Sequence, residues 1–149
     1  MAIDCYIQIT GIEGESTARG HEKWIKADGY TLGVESRGGH TTSLKDMVFT
    51  HPLDKATPKL VEACCNDTDI EKVKIHVLEE GREFIEYLLE PGQRGSGADA
   101  AVCRITAVIP TGNPGDSDRP REQVTVRYGK ITVKYKDGNI EASYDSSTT

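Results

Sequence analysis

The chain has 149 residues, 36% of them hydrophobic and 28% charged, and a formal net charge of −6. That length suits one ordinary domain with a continuous core, and the balance is that of a globular rather than a disordered chain. The acidic surplus argues against broad attraction to nucleic acid or anionic lipid, and no stretch approaches the roughly 20 apolar residues of a membrane-spanning helix.

Segment 1–10 carries neither a basic leader nor a signal-peptide apolar run, so folding in the cytoplasm is expected. Any export is then expected to bypass the ordinary signal-peptide route. From Ile3 to Ile9, Ile3, Cys5, Ile7 and Ile9 alternate with Asp4, Tyr6 and Gln8, the pattern of a half-buried strand. A polar loop over 11–20 leads to Trp24 and Ile25 and an irregular extended region as far as Val34. Segment 36–43, with Arg37, Gly38, Gly39 and His40, reads as an exposed loop, and 44–50 resumes strand character.

One short helix is predicted to start at Pro58, with Thr57 as its cap and Asn66-Asp67 ending it. Its apolar stripe of Leu60, Val61, Ala63 and Cys64 must pack on a sheet, because so short a helix is marginal alone. Val73, Ile75 and Val77 alternate with Lys72, Lys74 and His76, and Glu79-Glu80-Gly81 marks a hairpin turn into 84–89. A glycine-rich loop over 90–98 precedes a strand over 102–109 and a turn-rich stretch over 110–120.

Val124, Val126 and Tyr128 share one parity, whereas Ile131, Val133 and Tyr135 take the other, with Gly129 at the change. A one-residue offset moves side chains to the opposite face, so either a bulged strand turns a corner there or two strands meet. Asp137-Gly138 signals a turn into a last strand through Ile140, Ala142 and Tyr144, and 145–149 reads as a frayed tail. Many strands, one helix and no βαβ repeat define a mainly β fold, an antiparallel sandwich or barrel of two packed sheets flanked by one short α-helix. Residues 1–149 read as a single domain.

Cys5 and Cys103 are in phase with apolar neighbours and read as buried thiols, while the adjacent Cys64 and Cys65 are poorly placed for a disulfide. Enzyme signatures are absent: no nucleophile elbow, phosphate loop or zinc helix occurs. The glycines of 92–97 have the wrong spacing for a dinucleotide loop and read as a flexible connection. His21, His40, His51 and His76 lack close metal-ligand spacing, and Asp116-Ser117-Asp118 lacks the rest of a calcium loop. No cofactor and no metal is therefore expected, although convergence of the histidines in space is not readable from sequence. Glu79, Glu80, Glu83, Glu86 and Glu90 read as a solvated or interface face, and Trp24 as a core or interface anchor.

Four segments in order resemble the Hcp (haemolysin-coregulated protein) family of type VI secretion. They are the opening AIDCYIQITGIEGES, then HEKWIKADGYTLGV, FTHPLDKATPKLVEACC before the helix, and SDRPREQVTVRYGKITVKY late in the chain. Tyr30, Leu32, His51-Pro52 and a short 37–43 loop depart from the family's usual pattern, and 88–102 aligns poorly.

The resemblance implies a β-barrel that assembles into a homo-hexameric ring, with rings stacking into the inner tube of the secretion machine. It implies contacts with the spike protein and the contractile sheath, effector proteins in the lumen, and no catalytic centre. Arg37, Gly38, Gly39 and His40 are the loop expected to take part in ring stacking. A bacterial cytoplasmic stage followed by type VI export is implied, with neither nucleic-acid binding nor membrane insertion. A monomeric or dimeric ligand-binding barrel, or an enzyme with a dispersed site, are the other classes to weigh.

Overall fold

The computed structural model describes residues 2–39, 42–92 and 102–145. Its elements in order are β1 (Ile3–Ile9), β2 (Ile25–Ala27), β3 (Gly29–Ser36), β4 (Thr42–Pro52), α1 (Thr57–Cys65), β5 (Val73–Glu79), β6 (Arg82–Glu90), β7 (Arg104–Thr111), β8 (Arg121–Arg127), β9 (Lys130–Tyr135) and β10 (Ile140–Asp145). Six strands form one sheet in the order β10-β9-β6-β5-β1-β2, and four form a second in the order β3-β4-β8-β7. Every pairing is antiparallel. This is the expected mainly β fold of two packed sheets with one helix. Among the described residues the sheets do not close into one continuous ladder, so β2, β3, β7 and β10 stand at their edges.

Side chains alternate between the two faces of a strand, so residues in register across a sheet share a face. Ile25, Ile7, Ile75, Tyr87, Val133 and Ala142 make such a row across all six strands of the larger sheet, the first five packed in or against the core and Ala142 exposed at the edge. Met47, Phe49, Val124 and Val126 of the smaller sheet face them, and all four are buried. The hydroxyls of Tyr30 on β3 and Tyr87 on β6 meet at 3.2 Å between the sheets.

The change of parity at Gly129 marks two strands rather than one bulged strand. Here the chain leaves β8 in the smaller sheet and joins β9 in the larger, and the Gly129 amide donates to the Glu90 carbonyl at 3.0 Å. The hairpin expected at Glu79-Glu80-Gly81 forms, with Glu79 ending β5 and φ of 50° and 82° at Glu80 and Gly81. The turn after β9 likewise places Gly138 and Asn139 at positive φ.

The helix packs on β7 through buried Leu60 and Ala63. Its start differs from the expectation: Ala56, not Thr57, is the N-cap residue, and it supplies no side-chain bond. Asp54 Oδ1 accepts the Ala56 amide at 2.9 Å, and the Thr57 hydroxyl donates to Glu122 Oε1 at 3.3 Å. The same hydroxyl accepts the Asp54 amide at 3.2 Å, so it links the segment before the helix to a buried acid on β8. Asp145 ends β10, so the expected tail is paired at its first residue, and 146–149 lie outside the described residues. Most of the expected 90–98 loop also lies outside them.

Candidate functional site

The outer face of the larger sheet carries a polar row that the strand register assembles. Lys26, Tyr6, His76, Glu86, Lys134 and Glu141 lie side by side across β2, β1, β5, β6, β9 and β10. Segment 13–24 folds over this row, with backbone bonds from the Gly14 amide to the Lys23 carbonyl and from the Ser16 amide to the Trp24 carbonyl. It delivers His21 and Trp24 onto Tyr6 and Leu78, which makes a second, smaller core outside the main one.

His21 and His76, 55 residues apart in sequence, come within 2.9 Å through Nε2 and Nδ1. Glu83 Oε1 lies 3.1 Å from His21 Nε2 and 3.0 Å from His76 Nδ1. On its other side the His76 ring meets Glu86 Oε1 at 2.6 Å. Lys134 and Lys136 approach the Glu86 carboxylate at 3.9 Å each. Tyr6 stacks on His21 with ring centroids 4.8 Å apart, and Trp24 lies 4.6 Å from each histidine ring.

The electrostatics follow from this crowding. Burial lowers the His21 pKa, His76 lowers it further, and Glu83 works against both. Burial pushes the Glu86 carboxyl upward, but the bond from His76 and the charges of Lys136 and Lys134 outweigh it, leaving it below the usual range.

Glu83 and Glu86 reach the same face only because of a bulge. Val77 pairs Ile85 and Leu78 pairs Glu83, which leaves Phe84 as the extra residue on β6. Strict alternation puts residues three apart on opposite faces. Of the face expected to be solvated or at an interface, Glu86 is instead buried within the chain, while Glu79 and Glu80 are exposed.

A second buried polar pair lies at the helix end of the smaller sheet. His51 on β4 and Glu122 on β8 are register partners, meeting at 2.8 Å with both side chains sealed from solvent. Asp54 Oδ2 stands 3.8 Å from His51 Nδ1. Burial raises the Asp54 pKa, against the Ala56 amide bond and His51. His51 is one of the departures from the family pattern, and its partner lies 71 residues away, out of reach of any local motif.

Among the loop residues singled out from sequence, Arg37, Gly38 and Gly39 are exposed at the β3–β4 connection, both glycines have positive φ, and His40 lies outside the described residues. Asp116, Ser117 and Asp118 are exposed in an irregular segment, in keeping with a solvated turn. Cys5 and Cys103 are buried as expected, and all four thiols are free. Three of the edge strands expose large apolar side chains: Val34 on β3, Ile109 on β7 and Ile140 on β10. Between β3 and β10 an apolar cleft of about 300 Å³ is lined by Leu32, Val34, Tyr87, Ile131, Val133 and Tyr144 among others.

Residues 6–135 match the family model described as "Type VI secretion system effector, Hcp". The chain belongs to that family. It is 25% identical to "Protein hcp1" of Pseudomonas aeruginosa, over 97% of this chain and 90% of that protein. A type VI secretion system effector from Yersinia pestis has a similar structure, with a TM-score of 0.79, 30% identity, and coverage of 95% of this chain and 99% of that one. Hcp1 from Salmonella typhimurium shares the fold with a TM-score of 0.85 at 22% identity, covering 100% and 98% of the two chains. No helix among the described residues is long and apolar enough to cross a membrane.

Proposed function

We propose that this chain acts as one domain, closes as six copies into a ring, and stacks as rings into the inner tube of a type VI secretion machine. The family match over residues 6–135 is the observation that carries this reading. A ring forms when each subunit offers two different, complementary faces and the rotation between them closes. The apolar side chains on the β3, β7 and β10 edges supply such faces, since unpaired strand edges and exposed apolar groups are what a neighbouring subunit covers. Effectors occupy the lumen, the spike protein and contractile sheath are the machine's partners, and export from the bacterial cytoplasm follows the same route.

The chain works by assembly rather than catalysis. Met47, Phe49, Ile75 and Leu89 fill the space between the sheets, which weighs against a ligand-binding barrel with an internal pocket. Arg37, Gly38, Gly39 and His40 form the contact between stacked rings. Light scattering on size-exclusion fractions, with negative-stain images of each fraction, tests the ring. Hollow particles of six times the 16.3 kDa chain mass are expected. A monomer at every concentration, alone and with the spike protein and sheath, overturns the reading. Replacing 37–40 by a Gly-Ser turn is expected to shorten tubes and spare single rings, and unchanged tubes remove the loop from the contact.

A further inference from the structure

We propose that His21, His76 and Glu83 form a binding site for one divalent transition-metal ion, zinc by its donor set, which clips segment 13–24 to the outer face of the larger sheet. The three donor atoms make a nearly equilateral triangle with sides of 2.9, 3.1 and 3.0 Å. Ligands of a tetrahedral zinc, each about 2.0–2.1 Å from the ion, stand about 3.3 Å apart. The triangle needs to widen by only about 0.3 Å to reach that spacing.

Protons alone do not satisfy this triangle. The His76 ring uses its Nε2 hydrogen on Glu86, so a neutral His76 turns a bare lone pair at Nδ1 toward Glu83 Oε1. His21 Nε2 then brings one hydrogen to a set of three close contacts. Adding a proton at His76 Nδ1 serves Glu83, but His21 Nε2 then either sets its own N–H against that N–H or turns a bare lone pair toward the Glu83 oxygen. In every tautomer at least one contact near 3 Å lacks a hydrogen bond, whereas a cation among the three atoms accepts a lone pair from each.

The surroundings are those of a metal site. His76 bonds through its other nitrogen to the buried Glu86, the carboxylate–histidine arrangement that fixes a ligating ring and raises its basicity. Lys136 approaches the far oxygen of Glu83, Oε2, at 3.8 Å, leaving Oε1 to the ring nitrogens. Tyr6 and Trp24 hold the two imidazoles by ring contacts, so both are positioned before an ion arrives. Both histidines are buried, while the Glu83 side chain is 33% exposed and gives the ion a way in and water a fourth position. Two imidazoles with one carboxylate suit zinc and its neighbours, not calcium or magnesium, which take oxygen ligands.

The test uses the full chain, stripped by chelator and then titrated with zinc chloride, in a Cys64→Ser/Cys65→Ser background so that the helix thiols take no metal. One zinc per chain is expected by calorimetry and elemental analysis, with a rise in melting temperature. Cobalt(II) is expected to give visible bands of a four-coordinate nitrogen–oxygen site. Glu83→Gln and His76→Gln are expected to weaken zinc by more than about 100-fold, and Glu86→Gln by about 10–100-fold as an outer partner. Glu83 is part-exposed, so its Gln variant is expected to keep the fold, checked by circular dichroism. Failure of the parent to bind zinc, equal binding by Glu83→Gln, or calcium binding as tight as zinc each overturns the proposal. The site is read out on the single chain, so its failure and a failure of ring assembly are distinguishable.

Discussion

Replacing His51 by Leu leaves the Glu122 carboxylate buried on β8 with the Thr57 hydroxyl as its remaining hydrogen-bond partner among the described residues, where Glu122 Oε2 has none. Both side chains of the pair have 0% exposure, so solvent does not screen the loss. Breaking one partner of a buried pair costs about 3–5 kcal/mol, against a total stability of about 5–15 kcal/mol for such a domain. For about 150 residues each kcal/mol shifts the melting temperature by roughly 2–4 °C, so a fall of about 10 °C is expected.

Glu122→Leu is expected to cost a similar amount by stranding His51. The double variant His51→Leu/Glu122→Leu fills the same space with apolar groups and is expected to lie within about 1 kcal/mol of the parent or above it. Urea unfolding followed by Trp24 fluorescence, the single Trp of the chain, gives the four stabilities of a double-mutant cycle. Coupling of about 3 kcal/mol or more is expected. Single variants costing under about 1 kcal/mol, or a double variant as unstable as the sum of the singles, refute the reasoning.

Gly14→Ala places a Cβ 2.5 Å from the Trp24 carbonyl oxygen and 2.8 Å from Ile25 Cα, both backbone, and is expected to cost about 1–3 kcal/mol. Gly33→Ala meets nothing within 4 Å among the described residues and serves as the neutral control in the same thermal melts. Burial pushes the thiols of Cys5 and Cys103 from 9.0 up to about 12, and the Tyr128 hydroxyl from 10.0 to about 12. The unfolded chain therefore releases these protons first, and stability falls as pH rises from about 9 toward 12, by up to about 1.4 kcal/mol per pH unit for each group. Urea midpoints at about pH 8 and about pH 10 measure this, and a flat profile contradicts it. Cys65 is exposed and is expected to react with a maleimide in the native state, whereas Cys5 and Cys103 react only on unfolding, as mass spectrometry of the labelled chain shows.

Alternation along the chain already identified β1, β5 and β9, because one face of each strand is buried and burial writes a period of two into the residues. The turn at Glu80-Gly81 and the helix after Pro58 were equally legible, since both depend on residues within a few positions. The phase change at Gly129 showed that something happens there, yet only the structure separated a bulge from two strands in different sheets.

The polar groups were hidden from the sequence for a definite reason. His21 meets His76 across 55 residues and His51 meets Glu122 across 71, and pairing at that range follows from strand order and register rather than from any local pattern. Phe84 adds a further obstacle: its bulge resets the parity of β6 and turns Glu83 and Glu86 to one face, which strict alternation forbids. Most of the strands, the helix, the buried thiols and the family were readable from the residues alone. Which polar side chains meet had to come from the folded chain, since burial is written residue by residue while partnership is a property of how distant strands align.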